Sequence, residues 1–97
     1  MNVLIAGSSG QIGTNLALAL LDRGDRVLGI DIRENTWTRR IETVRLDLVR
    51  TAPAEPLHDQ SFDVVVQLAA NAKVFALVEN PQGAMDNITM LFNVLEY

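Results

Sequence analysis

Cysteine is absent from the sequence, and His58 is the whole of its imidazole complement. Disulfides, thiolate nucleophiles and cysteine-ligated zinc are thereby excluded, and one histidine cannot build a histidine metal cluster. Cationic side chains are scarce too: 8 Lys and Arg against 12 Asp and Glu leave a net charge of -4. No broad basic face is available to grip nucleic acid or an anionic membrane, so the expected partner is a small molecule. Long hydrophobic runs are missing as well. The N-terminal apolar stretch at residues 3–5 runs straight into a glycine turn, far too short for a signal-peptide core or a membrane span, and a cytoplasmic protein is expected. What is present is 48% hydrophobic and 21% charged residues over 97 positions, the composition and length of one ordinary globular domain with one core.

Residues 2–6 form a short apolar run halted by Gly7-Ser8-Ser9-Gly10, which predicts a buried strand entering a tight turn. Over residues 11–23, Ile12, Leu16, Ala19 and Leu20 recur at three- and four-residue spacing before Gly24, the pattern of an amphipathic helix and its stop. Residues 26–32 read as a second strand, apolar on both faces and ending at Asp31, as in a parallel sheet covered on two sides. A polar surface connection over 34–42, carrying Asn35, Thr36, Arg39 and Arg40, precedes a third short strand at 43–46 that ends at Asp47. Pro53 and Pro56 make any helix over 49–60 short or irregular.

Residues 62–70 are the most apolar run in the chain and predict a fourth, fully buried strand with small residues at its exit. Asn80 as N-cap and Pro81 in the first turn open a last helix that runs to the chain end, with Ala84, Ile88, Leu91, Phe92 and Leu95 marking one face. Strands alternating with helices imply an α/β fold, a doubly wound parallel sheet. Right-handed crossovers then give the strand order 3-2-1-4.

The chemistry sits at the first turn. Gly7-Ser8-Ser9-Gly10-Gln11-Ile12-Gly13 lies between a strand and a helix, where a diphosphate meets free backbone N–H groups and the positive end of the helix dipole. Gly7 permits the sharp turn, Gly10 lets phosphate approach without a Cβ in the way, and Gly13 lets the helix pack close. Asp31 follows Gly13 by 18 residues, at the end of the second strand, where a carboxylate accepts both hydroxyls of an adenosine ribose and so favours NAD over NADP. Ile32 and Arg33 flank that position, and Arg33, Arg39 and Arg40 would offset part of the repulsion toward a 2′-phosphate. Asp47 can accept from the adenine amino group while Leu48 covers the ring, or Asp47 can serve as a helix N-cap. Leu68, Ala69 and Ala70 end the fourth strand on the same sheet edge, leaving room for the nicotinamide end.

These residues together, Gly7-x-x-Gly10-x-x-Gly13, Asp31, Asp47-Leu48, Leu68-Ala69-Ala70, Pro81 and Asn87, resemble the extended short-chain dehydrogenases/reductases. Within them the chain looks most like the NAD-dependent nucleotide-sugar epimerases and dehydratases, over its whole length. The resemblance implies a Rossmann-type domain in which Gly7, Gly10, Gln11, Ile12 and Gly13 line the pyrophosphate. It places Asp31 at the ribose, Asp47 and Leu48 at the adenine, and Leu68, Ala69 and Ala70 at the nicotinamide side, with Ile32 and Arg33 next to Asp31 as further candidate cofactor-binding residues. Asn87 would be the helix asparagine that helps hold the active-site region together. Gln67 and Ala6 depart from the histidine and the threonine or glycine that the family often carries there. Lys73 either reaches a phosphate or is a solvated loop lysine, and Trp37 and His58 receive no binding role.

In that family a Ser or Thr and a Tyr-x-x-x-Lys pair perform the acid-base work. The only tyrosine is Tyr97, the final residue. No catalytic residue is therefore expected within the chain, which reads as the N-terminal portion of a longer enzyme, inactive by itself, with the substrate-binding part elsewhere. The parent reaction implied by the resemblance is a transient hydride transfer between a nucleotide-sugar and bound NAD. Two other readings remain open: a non-catalytic NAD-sensing regulatory module, and an NADP-dependent carbonyl reductase of the same superfamily. An apolar fourth strand at the sheet margin would be an unprotected edge, so pairing with further strands or with a second copy through residues 62–68 is expected.

Overall fold

The computed structural model describes residues 1–51, 57, 59–69 and 82–95. Its architecture follows from a strand with no polar face. In β1 (Asn2–Ala6) successive side chains point to opposite sides of the sheet, and all four from Val3 to Ala6 are buried. Val3 and Ile5 pack with Val27 and Ile41 against Ala17 of α1 (Gln11–Arg23). Leu4 and Ala6 pack with Leu28, Ile30, Leu48 and Leu57 against Met90 and Val94 of α2 (Gln82–Leu95). One helix thus covers each face, the condition under which a wholly apolar strand is stable.

β2 (Arg26–Asp31), β3 (Glu42–Arg45) and β4 (Val64–Gln67) complete a four-stranded sheet in the order β3-β2-β1-β4, with every pairing parallel. This is the doubly wound order expected from the sequence. β1 runs beside β2 from Asn2 opposite Arg26 to Ala6 opposite Ile30, and beside β4 from Val3 opposite Val64 to Ala6 opposite Gln67. The order reverses between β1 and β4, the topological switch at which ligands of open α/β sheets bind. α1 ends where Gly24 takes the left-handed conformation, φ 97°, and its N–H and that of Asp25 return to the carbonyls of Leu21 and Leu20, closing a Schellman-type cap.

Three expectations are corrected. The fourth strand is neither nine residues long nor fully buried: β4 spans four residues, and Val64 and Val65 are exposed. It pairs with β1 on one side and has no neighbour on the other among the described residues. The face of α1 turned to the sheet is Gly13, Thr14 and Ala17, while Ile12 is 72% exposed and Ala19 is also outside. The helix lies so close to the turn and strands that small side chains fill the contact, and Leu16 and Leu20 pack only at its margin. In α2, Ile88, Leu91, Phe92 and Leu95 point away from the sheet, and Met90 and Val94 are the residues that pack. The helix carries two apolar stripes, and the denser one faces outward. The capping pair Asn80 and Pro81, Ala70, Lys73, His58 and most of the segment holding Pro53 and Pro56 lie outside the described residues.

Candidate functional site

All four strands point their C-terminal ends to one edge, and the segments leaving them surround a cleft of roughly 810 Å3, within the size range of small-molecule sites. A smaller crevice of about 230 Å3 opens at the opposite strand ends beside Asn2, Arg26 and Phe62. Ligands of parallel sheets bind at the C-terminal edge, so the larger cleft is the candidate.

Its floor is the turn after β1. Gly7 adopts φ 89°, a left-handed conformation that side chains rarely take. A Cβ there would also stand 2.6 Å from the Ala69 nitrogen, so the turn closes directly on the backbone leaving β4. At Gly13 a Cβ would overlap the Gly7 carbonyl oxygen and reach within 2.9 Å of Ser8 Cα. That glycine is demanded by the helix pressing on the turn itself. A third glycine, Gly29 in β2, was not singled out in the sequence: a Cβ there would overlap the Ser8 side chain.

Gly10 is different. Its backbone, φ -82° and ψ 174°, suits any residue, and the nearest atoms to an added Cβ are Gly7 O at 3.6 Å and Arg33 Nη2 at 3.9 Å. Among the described residues nothing requires glycine there. As N-cap of α1 it offers no side-chain hydrogen bond, and the first helical amides, those of Gln11, Ile12 and Gly13, have no acceptor among the described residues. Thr14 N–H is the first to find one, at Gly10 O, 2.9 Å. Three donors carrying the partial positive charge of a helix terminus are therefore without a partner among the described residues, on residues that line the cleft, an arrangement suited to an anion.

Asp31 ends β2 with only 9% of its surface exposed, so it is not a solvated turn aspartate. Its Oδ2 accepts the Ser9 N–H at 3.0 Å and its Oδ1 accepts the Arg33 N–H at 3.0 Å. Each carboxylate oxygen retains further acceptor capacity. Ser9 Oγ donates to Arg33 O at 2.9 Å, and Arg45 Nε of β3 donates to Ile32 O at 2.8 Å. The backbone after Asp31 is thus tied to the turn on one side and to β3 on the other. The Arg33 guanidinium stays exposed, 3.9 Å from Asp31 Oδ1.

At the exit of β3, Asp47 Oδ1 accepts the Val49 N–H at 3.0 Å while its carbonyl accepts the amides of Arg50 and Thr51. It caps a single helical turn, the second of the roles considered for it, and it also lines the cleft. Leu48 is buried, and its carbonyl accepts a hydrogen bond from Asn93 Nδ2 of α2.

Of the residues singled out in the sequence, Gly7, Gly10, Gln11, Ile12 and Gly13 line the cleft, as do Asp31, Ile32, Arg33, Asp47, Leu48, Leu68 and Ala69. Asn87, half-buried on α2, does not. Leu46 and Val49 also line it, and they flank positions already chosen. Asp86 and Met90 of α2 line it too; they are one turn apart on the same helix face, a spacing that in the sequence is indistinguishable from ordinary helix patterning. Among the charged residues in this lining, Arg33 is the cation beside Asp31, Asp47 and Asp86. An anion is favoured only at the amide end, and hydroxyl or amino donors suit the carboxylates elsewhere.

The sequence from residue 3 to residue 97 matches the model of the NAD dependent epimerase/dehydratase family. The chain belongs to this family. NAD is the cofactor of NAD-dependent epimerases and dehydratases, and this member is 34% identical to UDP-glucuronate 4-epimerase 1 of Arabidopsis thaliana over 99% of its own length and 26% of that protein. Among solved structures it is similar to a Thermus thermophilus UDP-glucose 4-epimerase in complex with NAD, at TM-score 0.82 and 26% identity over 99% of the chain and 33% of that protein. It is equally similar in fold to a GalE-like L-threonine dehydrogenase from Cupriavidus necator, at TM-score 0.83 and 32% identity over 99% and 32%. The chain thus spans about a quarter to a third of the length of the relatives it matches. Among the described residues of this family member, no helix is long and apolar enough to cross a membrane.

Proposed function

We propose that residues 1–97 form the N-terminal portion of the NAD-binding domain of a nucleotide-sugar epimerase or dehydratase. The observation that carries this reading is the pairing of three unbonded amides at the start of α1 with the space in front of Gly10, which the fold leaves open without needing a glycine there. A cradle of that kind fits the diphosphate of NAD. The amides of Gln11, Ile12 and Gly13 would hold it, Asp31 would accept the adenosine ribose hydroxyls beside Ile32 and Arg33, and Asp47 and Leu48 would receive the adenine. Leu68 and Ala69, across the switch point, would adjoin the nicotinamide end, with Ala70 next in the chain; Asn87 would act behind the wall rather than in it.

When bound, NAD supplies a hydride acceptor and donor. The residues present here would bind, orient and select, and the sequence of this chain holds no Tyr-x-x-x-Lys of the kind that serves the family's proton transfers. The nucleotide-sugar assignment draws on the epimerases among the relatives, including one named for UDP-glucuronate and one for UDP-glucose. A copy-to-copy or strand-to-strand pairing along β4 is part of the same reading, supported by the uncovered Val64 and Val65.

Calorimetric titration of the chain with NAD, NADP and a UDP-sugar tests the proposal. Binding of NAD in preference to NADP, with no heat from the UDP-sugar alone, is the expected result. A chain that takes up the UDP-sugar but not NAD would sink the reading.

A further inference from the structure

In the sequence Asn35 belongs to a polar connection that looks solvated. In the folded chain its amide group is fully spent. Nδ2 donates to Ser8 O at 3.2 Å and to Thr14 Oγ1 at 2.9 Å, while Oδ1 accepts the N–H groups of Trp37 at 2.8 Å and Thr38 at 3.1 Å. Two donors and two acceptor positions are all that an asparagine side chain has. Thr14 Oγ1 in turn donates to Ser8 O at 3.1 Å, so one buried carbonyl of the glycine turn receives two hydrogen bonds. Ser8 and Thr14 are both buried.

This knot joins three pieces that share no secondary structure: the turn after β1, the first turn of α1, and the connection after β2. Asp31 already ties the beginning of that connection to Ser9. Asn35 ties it a second time, four residues later, and the backbone between the two anchors carries Ile32 and Arg33 into the cleft. Two anchors fix a segment's orientation where one leaves a pivot. We propose that Asn35 is a positioning residue for the dinucleotide site, locking the ribose wall at Asp31–Arg33 onto the amides that would receive the diphosphate. The inference rests on the NAD-binding reading above and concerns a residue whose side-chain amide is engaged by four protein partners.

The physical consequence is that both ends of an adenosine diphosphate meet groups already held at a fixed separation, so little ordering remains to oppose binding. The test uses Asn35→Ala, which removes both arms, and Asn35→Asp, which keeps the acceptor for Trp37 and Thr38 but loses the donor to Ser8 and Thr14. Asp25→Asn, remote from the cleft, serves as a control for general loss of stability. Amide hydrogen exchange without ligand should quicken at Ser9 and Gly10 in both Asn35 variants, and NAD affinity should fall about tenfold. Asp25→Asn, compared at an equal distance below its melting temperature, should retain wild-type affinity. Unchanged exchange at the turn, or NAD affinity within twofold of wild type in either Asn35 variant, would overturn the proposal. Failure of the wild-type chain to bind NAD would instead strike the functional reading, and the exchange data alone would then decide whether the clamp exists.

Discussion

Gly10→Ser separates the needs of the fold from the needs of the ligand, because the two should respond with opposite signs. Position 10 is the N-cap of α1, with φ -82° and ψ 174°, the extended geometry a capping serine adopts. Among the described residues a Cβ meets nothing closer than 3.6 Å, so the side chain enters without strain. Its hydroxyl would accept a hydrogen bond from the Ile12 or Gly13 amide, adding a few tenths of a kcal/mol over glycine. Restricting the unfolded chain adds about 0.4–1 kcal/mol. The sum, about 1 kcal/mol, corresponds to a rise of about 4–8 °C in melting temperature for a domain of this size. The same hydroxyl consumes one of the three amides and fills the space before them. A charge-assisted hydrogen bond is worth about 1.5–3 kcal/mol, so NAD affinity should drop about tenfold to a hundredfold. Thermal denaturation and calorimetric titration on the same preparation read both quantities. A serine variant that binds NAD within threefold of wild type would refute the assignment of these amides to the diphosphate, and one that melts lower would refute the claim that the space is open.

Further expectations bear on the framework and on selectivity. Gly29→Ala drives a methyl into the Ser8 side chain and should cost about 1–3 kcal/mol in chemical denaturation; adding Ser8→Gly should restore at least about 0.5 kcal/mol, and strictly additive losses would contradict the contact. Asp31→Asn removes the carboxylate that, on the proposed reading, would disfavour a 2′-phosphate, so the ratio of NAD to NADP affinity should narrow by about tenfold, and an unchanged ratio would remove Asp31 from the ribose site. The Met1 ammonium, bonded to Asp25 Oδ1 at 2.9 Å, and the Arg23 guanidinium, bonded to Oδ2 at 2.6 Å, hold the Asp25 carboxyl below its ordinary 3.8. A depressed folded value means the contribution is present above pH 3.8 and is lost as pH falls through that lower value. Acid unfolding should therefore be steeper below about pH 4 in the wild type than in Asp25→Asn, and parallel curves would show the pairing to be without effect.

The strands and the turn were legible because each writes its signal locally. A short run of apolar residues from Val3 to Ala6 with no polar face, rich in strand formers, reads as an inner strand, and Gly7 follows where the chain must turn sharply. The packing face of a helix is a different matter. In α1 the sequence offers Ile12, Leu16, Ala19 and Leu20 as a stripe, yet Gly13, Thr14 and Ala17 face the sheet. Hydrophobic periodicity finds the side with the largest side chains, whereas the distance between elements is set by the smallest. In α2 the two sides are both apolar, and periodicity has no means of choosing between Met90 and Val94 on one and Phe92 and Leu95 on the other. The length of β4 falls short of its apolar run for a related reason: such a run shows that a segment avoids water, but the ladder shows where it pairs, and the ladder stops at Gln67 opposite Ala6.

The glycines of the first turn carry a broader lesson about telling a ligand's requirement from the fold's. Two of the three are explained without any ligand, Gly7 by its left-handed backbone and the approach of Leu68 and Ala69 and Gly13 by the carbonyl of Gly7, just as Gly29 of β2 is explained by the side chain of Ser8. A motif count treats Gly10 as their equal, although the fold gives no reason for it. Once internal causes are subtracted, what remains is a residue whose missing side chain leaves room, placed before amides that have no acceptor among the described residues. The same subtraction works in reverse at Asn35, whose polarity seemed to belong to solvent until its four partners accounted for all of it. Function is thus read from the residue the fold does not need, and positioning from the residue that the surface does not use.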